Sequence, residues 1–151
     1  MKTLVASAVL LVGAVSPMAV AYAAGTYSVT VDGKHLNNPD GSTVSCNIPP
    51  PANPLRRVTL QITTNSSGFN PDYPISAEVR ILDGQMEEMN LAVPWMGQPG
   101  AQGYYKSTLI RTVGAGDSQV TNTGNTYMVS GHAPERGSGT MHAYEIDVTC
   151  P

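Results

Sequence analysis

The feature that most constrains the fold of this chain is an alternation of apolar and polar residues that returns along its length. Successive side chains of a β-strand point to opposite faces, so this alternation predicts strands with one face in a core and the other in water. The alternating segments are Tyr27–Val31, Val58–Ile62, Ile75–Ile81, Met89–Val93, Tyr127–Val129 and Tyr144–Val148. An all-β architecture follows from their number and from the absence of a long amphipathic helical pattern.

Turn-forming residues punctuate these segments at short intervals. Glycine paired with aspartate or proline favours tight turns between strands. Such turns are expected at Asp32-Gly33, Asp40-Gly41, Asp83-Gly84, Gly114–Gly116 and Pro134–Gly139. Seven or eight short strands of this kind predict a single-domain antiparallel β-sandwich or half-barrel.

One segment allows a second interpretation. Gln85–Leu91 is compatible with a short helical turn, which Asn90 and Pro94 would stop from extending. The stretch "NIPPPANP" predicts a stiff loop between strands, and a polyproline ligand is the alternative.

The N-terminal stretch "MKTLVASAVLLVGAVSPMAVAYAAG" has the composition of an export signal. A positive charge at Lys2 is followed by an apolar run that is shorter than the roughly 20 residues needed to cross a bilayer, and then by an A-x-A site ending at Ala23. We therefore predict a signal peptide over residues 1–23, a β domain over residues 24–151, and a secreted or cell-wall-associated protein without a transmembrane anchor after cleavage. A buried N-terminal helix or a membrane anchor is the alternative.

The charge pattern argues against nucleic acid as a partner. The chain has a formal net charge of −3, and Arg56-Arg57 is its only pair of adjacent basic residues. Nucleic acids and anionic lipid surfaces are normally bound through a basic patch or stripe. The expected partner is therefore an unknown protein or another component of the cell envelope.

The two cysteines, Cys46 and Cys150, lie in separate predicted strands. Cys46 shares strand parity with the apolar Val44. Cys150 shares it with Ile146 and Val148, so both thiols are expected to point into the core. An exported compartment favours a disulfide between them, which would tie the last strand to one near the start. Two separate buried thiols are the alternative, since cysteine is also a common core residue.

Four stretches, "YSVTVDGK", "STVSC", "YMVSGHA" and the closing "YEIDVTC", resemble the mycobacterial LpqH-type lipoprotein antigen family. Its members share an early V-x-V-D-G, a strand that ends in cysteine, a late Y-x-I/V-x-G-x-A strand and a terminal F/Y-E-I-x-V-T-C. The resemblance runs from about Tyr27 to Cys150 and is looser in the middle. It implies that Cys46 and Cys150 form the domain disulfide of the family. It also implies a surface-exposed, immunogenic envelope protein without an established catalytic activity, with roles proposed in adhesion and host recognition.

The sequence departs from that family in the stretch "AVAYAAGTY". The lipoproteins of the family carry an acylated cysteine directly after the signal peptide, and this stretch contains none. Cys46 lies too deep in the predicted domain to replace it. We therefore expect no lipid anchor.

Catalytic and metal-binding patterns are weak. His35, His132 and His142 are scattered, and no H-E-x-x-H motif is present, so no metal, cofactor or catalytic residue is predicted. Ser130 and His132 share parity on one strand and Asp147 lies on another, so a hydrolytic triad is conceivable. The chain lacks a G-x-S-x-G motif, and a surface histidine on a strand is the favoured interpretation.

Two further clusters were considered as sites. The carboxylates of Asp83, Glu87 and Glu88 lie close in sequence, as a glycosidase pair would, although a solvated acidic turn is favoured. The loop "LAVPWMGQPGAQGYY" offers a possible contact surface through Trp95, Tyr104 and Tyr105. The alternative for Trp95 is that it fills the end of the sandwich.

Three functions remain open at this point. The first is an exported, non-catalytic, antigen-like envelope or secreted protein involved in surface interaction or host recognition. The second is a carrier of a small apolar ligand or lipid, which needs an apolar cavity. The third is a hydrolase with an unrecognised site.

Overall fold

The computed structural model describes residues 24–36, 42–64, 75–94 and 107–151. These residues form ten strands. The strands are β1 Thr26–Val31, β2 Lys34–Leu36, β3 Ser42–Asn47, β4 Arg57–Thr64, β5 Ser76–Leu82, β6 Gln85–Pro94, β7 Ser107–Val113, β8 Gln119–Thr123, β9 Thr126–Pro134 and β10 Met141–Thr149.

The strands form two five-stranded antiparallel sheets. Sheet 1 has the order β2-β1-β10-β9-β8, and sheet 2 has the order β3-β4-β5-β6-β7. In sheet 1 the last strand, β10, pairs with the first, β1, on one side and with β9 on the other. The predicted all-β class is confirmed, and the two sheets do not close into a barrel.

The core lies between the inner faces of the two sheets, and it is built from the residues that alternate in the sequence. Buried apolar side chains come from every second position of the main strands. Those with no more than 2% exposure include Val29, Val31, Leu60, Ile62, Val79, Leu91, Val129 and Ile146. The period-two pattern therefore predicted the buried face correctly.

Seven or eight strands were expected, and the structure has ten. Two of the additional strands lack a clear alternation of apolar and polar residues. Strand β2 is only three residues long, and all of β8 except Val120 is exposed. Their partners in sheet 1 hold them in place through backbone hydrogen bonds, which a pattern of side chains cannot reveal.

The helical turn considered for Gln85–Leu91 is wrong, because this segment belongs to strand β6. Arg80 pairs with Glu88 and Ile81 pairs with Met86, so Glu87 is the extra residue of a β-bulge. Because of the bulge, Met86 and Met89 are both buried although they are three positions apart. In the sequence alone, two apolar residues at that spacing are typical of one face of a helix.

Two of the predicted turns are tight hairpins with the same geometry. Asp32 and Gly33 join β1 to β2 with φ of 49° and 73°, and Asp83 and Gly84 join β5 to β6 with φ of 51° and 79°. Positive φ at both central residues is typical of the two-residue turn whose twist matches that of paired strands, and Asp-Gly tolerates it.

A disulfide joins the two sheets. Cys46 lies near the end of β3, at an edge of sheet 2, and Cys150 follows β10, in the middle of sheet 1. The two residues are 104 positions apart, and their Cα atoms are separated by 5.8 Å. The predicted bridge is confirmed, and the alternative of two buried thiols is wrong.

The backbone joins the sheets at the opposite edge of sheet 2. Ile110 of β7 forms an isolated bridge with Glu135, and the Arg136 N–H donates to the Leu109 carbonyl at 2.7 Å. Sheet 2 is thus connected to sheet 1 by a covalent link at β3 and by hydrogen bonds at β7. The described residues include no helix long and apolar enough to cross a membrane.

Candidate functional site

A cleft of about 460 Å³ opens at the end of the sandwich where β1 begins and β10 ends. Its floor is formed by buried Ile81 and Tyr127, and half-buried Val58 and Val120 form its walls. Both sheets contribute, because β4 and β5 belong to sheet 2, whereas β8 and β9 belong to sheet 1. Small-molecule sites commonly have volumes of roughly 300–1,000 Å³ and predominantly apolar walls.

The segment between β3 and β4 forms one rim of this cleft. Ile48 and Pro49–Pro51 line it, and Ile48 remains 47% exposed. Proline fixes φ, which stiffens this connection, and the Asn53 N–H closes a turn by donating to the Pro50 carbonyl at 2.9 Å. The predicted stiff loop is therefore the observed one, and it keeps apolar side chains at the mouth of the cleft.

The two adjacent arginines have different environments. Arg56 lines the cleft, as does Asp83 from the β5–β6 turn. Arg57 is one position on and therefore has the opposite strand parity. Its Nε and Nη2 donate to Glu87 Oε2 and Oε1, each at 2.7 Å. Within the described residues no hydrogen bond or ion pair involves the guanidinium of Arg56.

The outer face of sheet 2 carries an ion-pair network around Glu88. Its carboxylate lies 3.0 Å from Arg80 Nη1 and 2.8 Å from Arg111 Nη2, and it accepts a hydrogen bond from the Asn90 amide at 3.2 Å. The hydrogen bonds from Asn90 and Arg111 lower the pKa of Glu88. Glu87 is bound by Arg57, so arginines hold two of the three carboxylates of the glycosidase hypothesis. The third, Asp83, forms no ion pair with a described residue.

The imagined hydrolytic triad is not assembled. His132 Nδ1 lies 2.7 Å from Asp117 Oδ2, and its backbone N–H donates to Asp117 Oδ1 at 3.0 Å. The bond from this backbone N–H is the largest cause that lowers the pKa of Asp117. Asp147 instead faces Met128 in the register of β10 and β9, and Ser130 faces Glu145. His132 is therefore an exposed residue on the outer face of sheet 1, as the favoured interpretation predicted.

A second aspartate–histidine pair was not anticipated from the sequence. His142 Nδ1 lies 2.7 Å from Asp32 Oδ2, and Asp32 Oδ1 accepts a hydrogen bond from the Ala143 N–H at 2.9 Å. The side chain of His142 is 11% exposed, and its Nε2 lies 3.8 Å from Glu135 Oε2. The hydrogen bond from His142 is the largest cause that lowers the pKa of Asp32. The only sequence feature that could have pointed to this pair is the Asp32-Gly33 turn, which positions Asp32 beside the start of β10.

A close approach explains the glycine of the "YMVSGHA" stretch. A Cβ atom on Gly131 would lie 2.9 Å from the Ser118 Cα and 3.1 Å from the Tyr144 hydroxyl. That hydroxyl is 2.7 Å from Ser118 Oγ, and burial raises the pKa of Tyr144. The segment between β7 and β8 therefore packs directly on β9 at a position that only glycine fits without a shift.

The remaining candidate residues from the sequence do not line the cleft as far as the structure describes them. Trp95, Tyr104 and Tyr105 lie outside the described residues. His35 lies on the outer face of sheet 1, with its Nδ1 3.5 Å from Ser28 Oγ. No group of three or more potential metal ligands is present in the part of the chain that the structure describes.

These features define a class of protein: a disulfide-linked β-sandwich with mainly polar outer faces and a mainly apolar cleft at one end. Within that class, the chain belongs to the Mycobacterium 19 kDa lipoprotein antigen family, whose model matches residues 20–150. The resemblance seen in the sequence is thereby confirmed, and membership is consistent with a cell-envelope or secreted location. No curated protein matches the sequence.

Proposed function

We propose that this chain is an exported, non-catalytic, antigen-like protein of the envelope or the secreted fraction, and that it acts through surface contacts. Membership of the lipoprotein antigen family supports this proposal. The chain further differs from an anchored lipoprotein because both of its cysteines are consumed by the disulfide, so neither sulfur is available for an acyl group. Residues 1–23 act in this proposal as a cleaved signal peptide.

The observation that carries the non-catalytic part is the way in which the candidate catalytic side chains are bound. Asp117 holds His132, Asp32 holds His142, and arginines hold Glu87 and Glu88. General acid–base catalysis needs a group within hydrogen-bonding reach of a substrate proton, with a suitable pKa. The two arginine-bound carboxylates connect strands. Neither aspartate–histidine pair is hydrogen-bonded to a serine or threonine hydroxyl among the described residues, so the nucleophile that a catalytic triad requires is not in place there.

Expression of the full chain in a mycobacterial host tests the export and anchoring parts. We expect a protein in the culture filtrate or the wall fraction that begins at Ala24, carries no acyl group and has an intact mass two hydrogens below that of the dithiol form. Recovery of an acylated form from the membrane fraction would contradict the proposal.

A search for hydrolytic activity tests the non-catalytic part. The purified protein and its His132→Ala and His142→Ala variants are compared on ester and glycoside substrates. We expect the same background rate for all three. A defined activity that is lost in either variant would overturn the non-enzymatic proposal.

A second candidate function, the binding of a small apolar ligand, is favoured by one specific observation. The space between the sheets is occupied by buried side chains, but the cleft at the end of the sandwich is large enough for a small molecule and is lined mainly by apolar groups. A carrier function would therefore use this end cleft rather than the interior between the sheets.

A further inference from the structure

We propose that the end cleft binds small amphiphilic carboxylates, with the apolar chain or ring against Val58, Val120 and Tyr127 and the carboxylate at Arg56. This inference specifies the ligand class of the second candidate function and rests on that candidate alone. The antigen-like proposal does not depend on it.

The apolar part of the ligand is inferred from the surface that the cleft leaves open to water. Val58 and Val120 are only half-buried, although both pack on the core, and Ile48 at the rim is 47% exposed. Covering apolar surface of this kind is favourable by roughly 25 cal/mol per Å². An apolar chain seated in the end cleft would remove part of this surface from water without moving the strands.

The anionic part is inferred from the contrast between Arg56 and Arg57. Alternation at the start of β4 directs Arg57 to the outer face, where Glu87 binds it through two hydrogen bonds. Arg56 lines the cleft and has no ion-pair partner among the described residues. The planar guanidinium group matches a carboxylate with two parallel N–H donors. Among the described residues, a cation at the edge of an apolar cleft is thus left without an ion-pair partner.

One acidic residue opposes this arrangement. Asp83 lines the same cleft, and its backbone N–H donates to the Arg56 carbonyl at 3.2 Å. Asp83 and Arg56 are both exposed, so solvent screens the charges of both and leaves some repulsion of an anion by Asp83. Arg56 can form hydrogen bonds with the ligand, whereas Asp83 acts on it only through charge. An anion is favoured for that reason, and Asp83 makes the preference measurable, because its removal should strengthen binding.

Titration of the full mature chain with three ten-carbon probes below their micelle-forming concentrations tests the inference. The probes are decanoate, decanol and decyltrimethylammonium, and two-dimensional NMR locates their binding. We expect saturable binding of decanoate, with shifts confined to residues 48–58, 81–84 and 120–127, and weaker binding of the cation.

Substitutions then separate the contribution of the Arg56 charge to binding from the contribution of the apolar cleft. Arg56→Gln should weaken decanoate binding by about 3- to 10-fold, which corresponds to about 0.6–1.4 kcal/mol, and should leave decanol binding unchanged. Arg57→Gln is the matched control, with the same loss of charge one position away, and should change decanoate affinity by less than about twofold. Asp83→Asn should strengthen decanoate binding.

The outcomes distinguish the inference from the function on which it rests. Equal binding of all three probes, or equal effects of Arg56→Gln and Arg57→Gln, would overturn the carboxylate preference and leave a carrier of apolar ligands. Failure of every probe to bind up to about 1 mM, or shifts outside the cleft, would overturn both the carrier function and the inference. Neither result would alter the export and activity experiments on the antigen-like function.

Discussion

Asp32 and His142 are 110 positions apart in the sequence, yet the aspartate binds both the ring of the histidine, at 2.7 Å, and the backbone N–H that follows it, at 2.9 Å. A single carboxylate thereby connects the β1–β2 turn to the beginning of β10. Glu135 approaches the other ring nitrogen from the β9–β10 connection. At 3.8 Å this contact is no hydrogen bond, so His142 directly connects two segments at the end of the sandwich remote from the cleft, and the third lies beside it.

The first prediction concerns the pH dependence that this carboxylate contributes. The pKa of Asp32 is lower in the folded protein than its ordinary value of 3.8, so the unfolded state binds more protons in acid. Its stabilising contribution is therefore complete above about pH 5 and is lost as the pH falls through the lowered pKa. Asp32→Asn should lower the free energy of unfolding by about 1 kcal/mol at neutral pH and by much less below pH 3. Urea titrations across this range measure the difference.

Asp83→Asn provides the control for that experiment. Asp83 occupies the same position in a turn of the same geometry but makes no side-chain ion pair with a described residue. Asparagine tolerates positive φ, so the turn itself is not disturbed in either variant. Equal pH profiles for the two substitutions would show that the contact with His142 contributes nothing.

The second prediction concerns the disulfide. Its removal frees a loop on the order of 100 residues, and loss of a native bridge typically destabilises a small secreted domain by about 2–5 kcal/mol. The Cys46→Ala, Cys150→Ala double variant should unfold at a lower denaturant concentration. Added reductant should lower the midpoint of the native protein and leave that of the variant unchanged. A reductant-insensitive midpoint for the native protein would contradict the prediction.

The third prediction concerns Gly131. In Gly131→Ala the new methyl group would lie 2.9 Å from a backbone atom, the Ser118 Cα, so the segment between β7 and β8 must move. Overpacking of this kind destabilises by about 1–3 kcal/mol. Ser130→Ala, on the neighbouring position of β9 and facing outward, should change stability by less than about 0.5 kcal/mol. Thermal unfolding of the two variants gives the comparison, and similar midpoints would refute the close approach.

The fourth prediction concerns the network on the outer face of sheet 2. Glu88 connects Arg80 of β5 to Arg111 of β7, whereas Glu87 binds only Arg57. Glu88→Gln removes one carboxylate from both arginines at once, leaving Arg80 with Glu78 and Arg111 without an ion-pair partner among the described residues. It should therefore lower the denaturant midpoint more than Glu87→Gln does. The difference should shrink in high salt, because salt screens these ion pairs. A larger effect for Glu87→Gln would contradict it.

Much of the fold could be predicted because its determinants are local. Period-two alternation marks the strands that contribute both inner faces, and the Asp-Gly pairs mark two hairpins. The sequence misled where one residue broke the period: the Glu87 bulge separates Met86 from Met89 by a helical interval. The sequence did not predict β8, because four of its five residues are exposed and the strand shows no clear alternation of apolar and polar residues.

The candidate site was harder to predict because it depends on how distant segments meet. Val58, Val120 and Tyr127 look like ordinary strand residues, and only the apposition of the two sheets makes them line a common space. The pairing of Asp32 with His142 likewise depends on the register of β1 and β10. The disulfide could be predicted from the sequence because strand parity directs both cysteine side chains into the core, and the expected exported compartment favours oxidation of the two thiols.

The pairing of Thr26 with Thr149 gives the domain a direction. Both ends of the described chain, Ala24 and Pro151, leave from the pole that contains the cleft, and the Asp32–Gly33 turn and residues 135–140 form the opposite pole. A molecule tethered through either end would therefore turn the pole around His142 away from the tether. The cleft would face the tether, so the ligand site proposed above and the opposite pole would meet different surroundings.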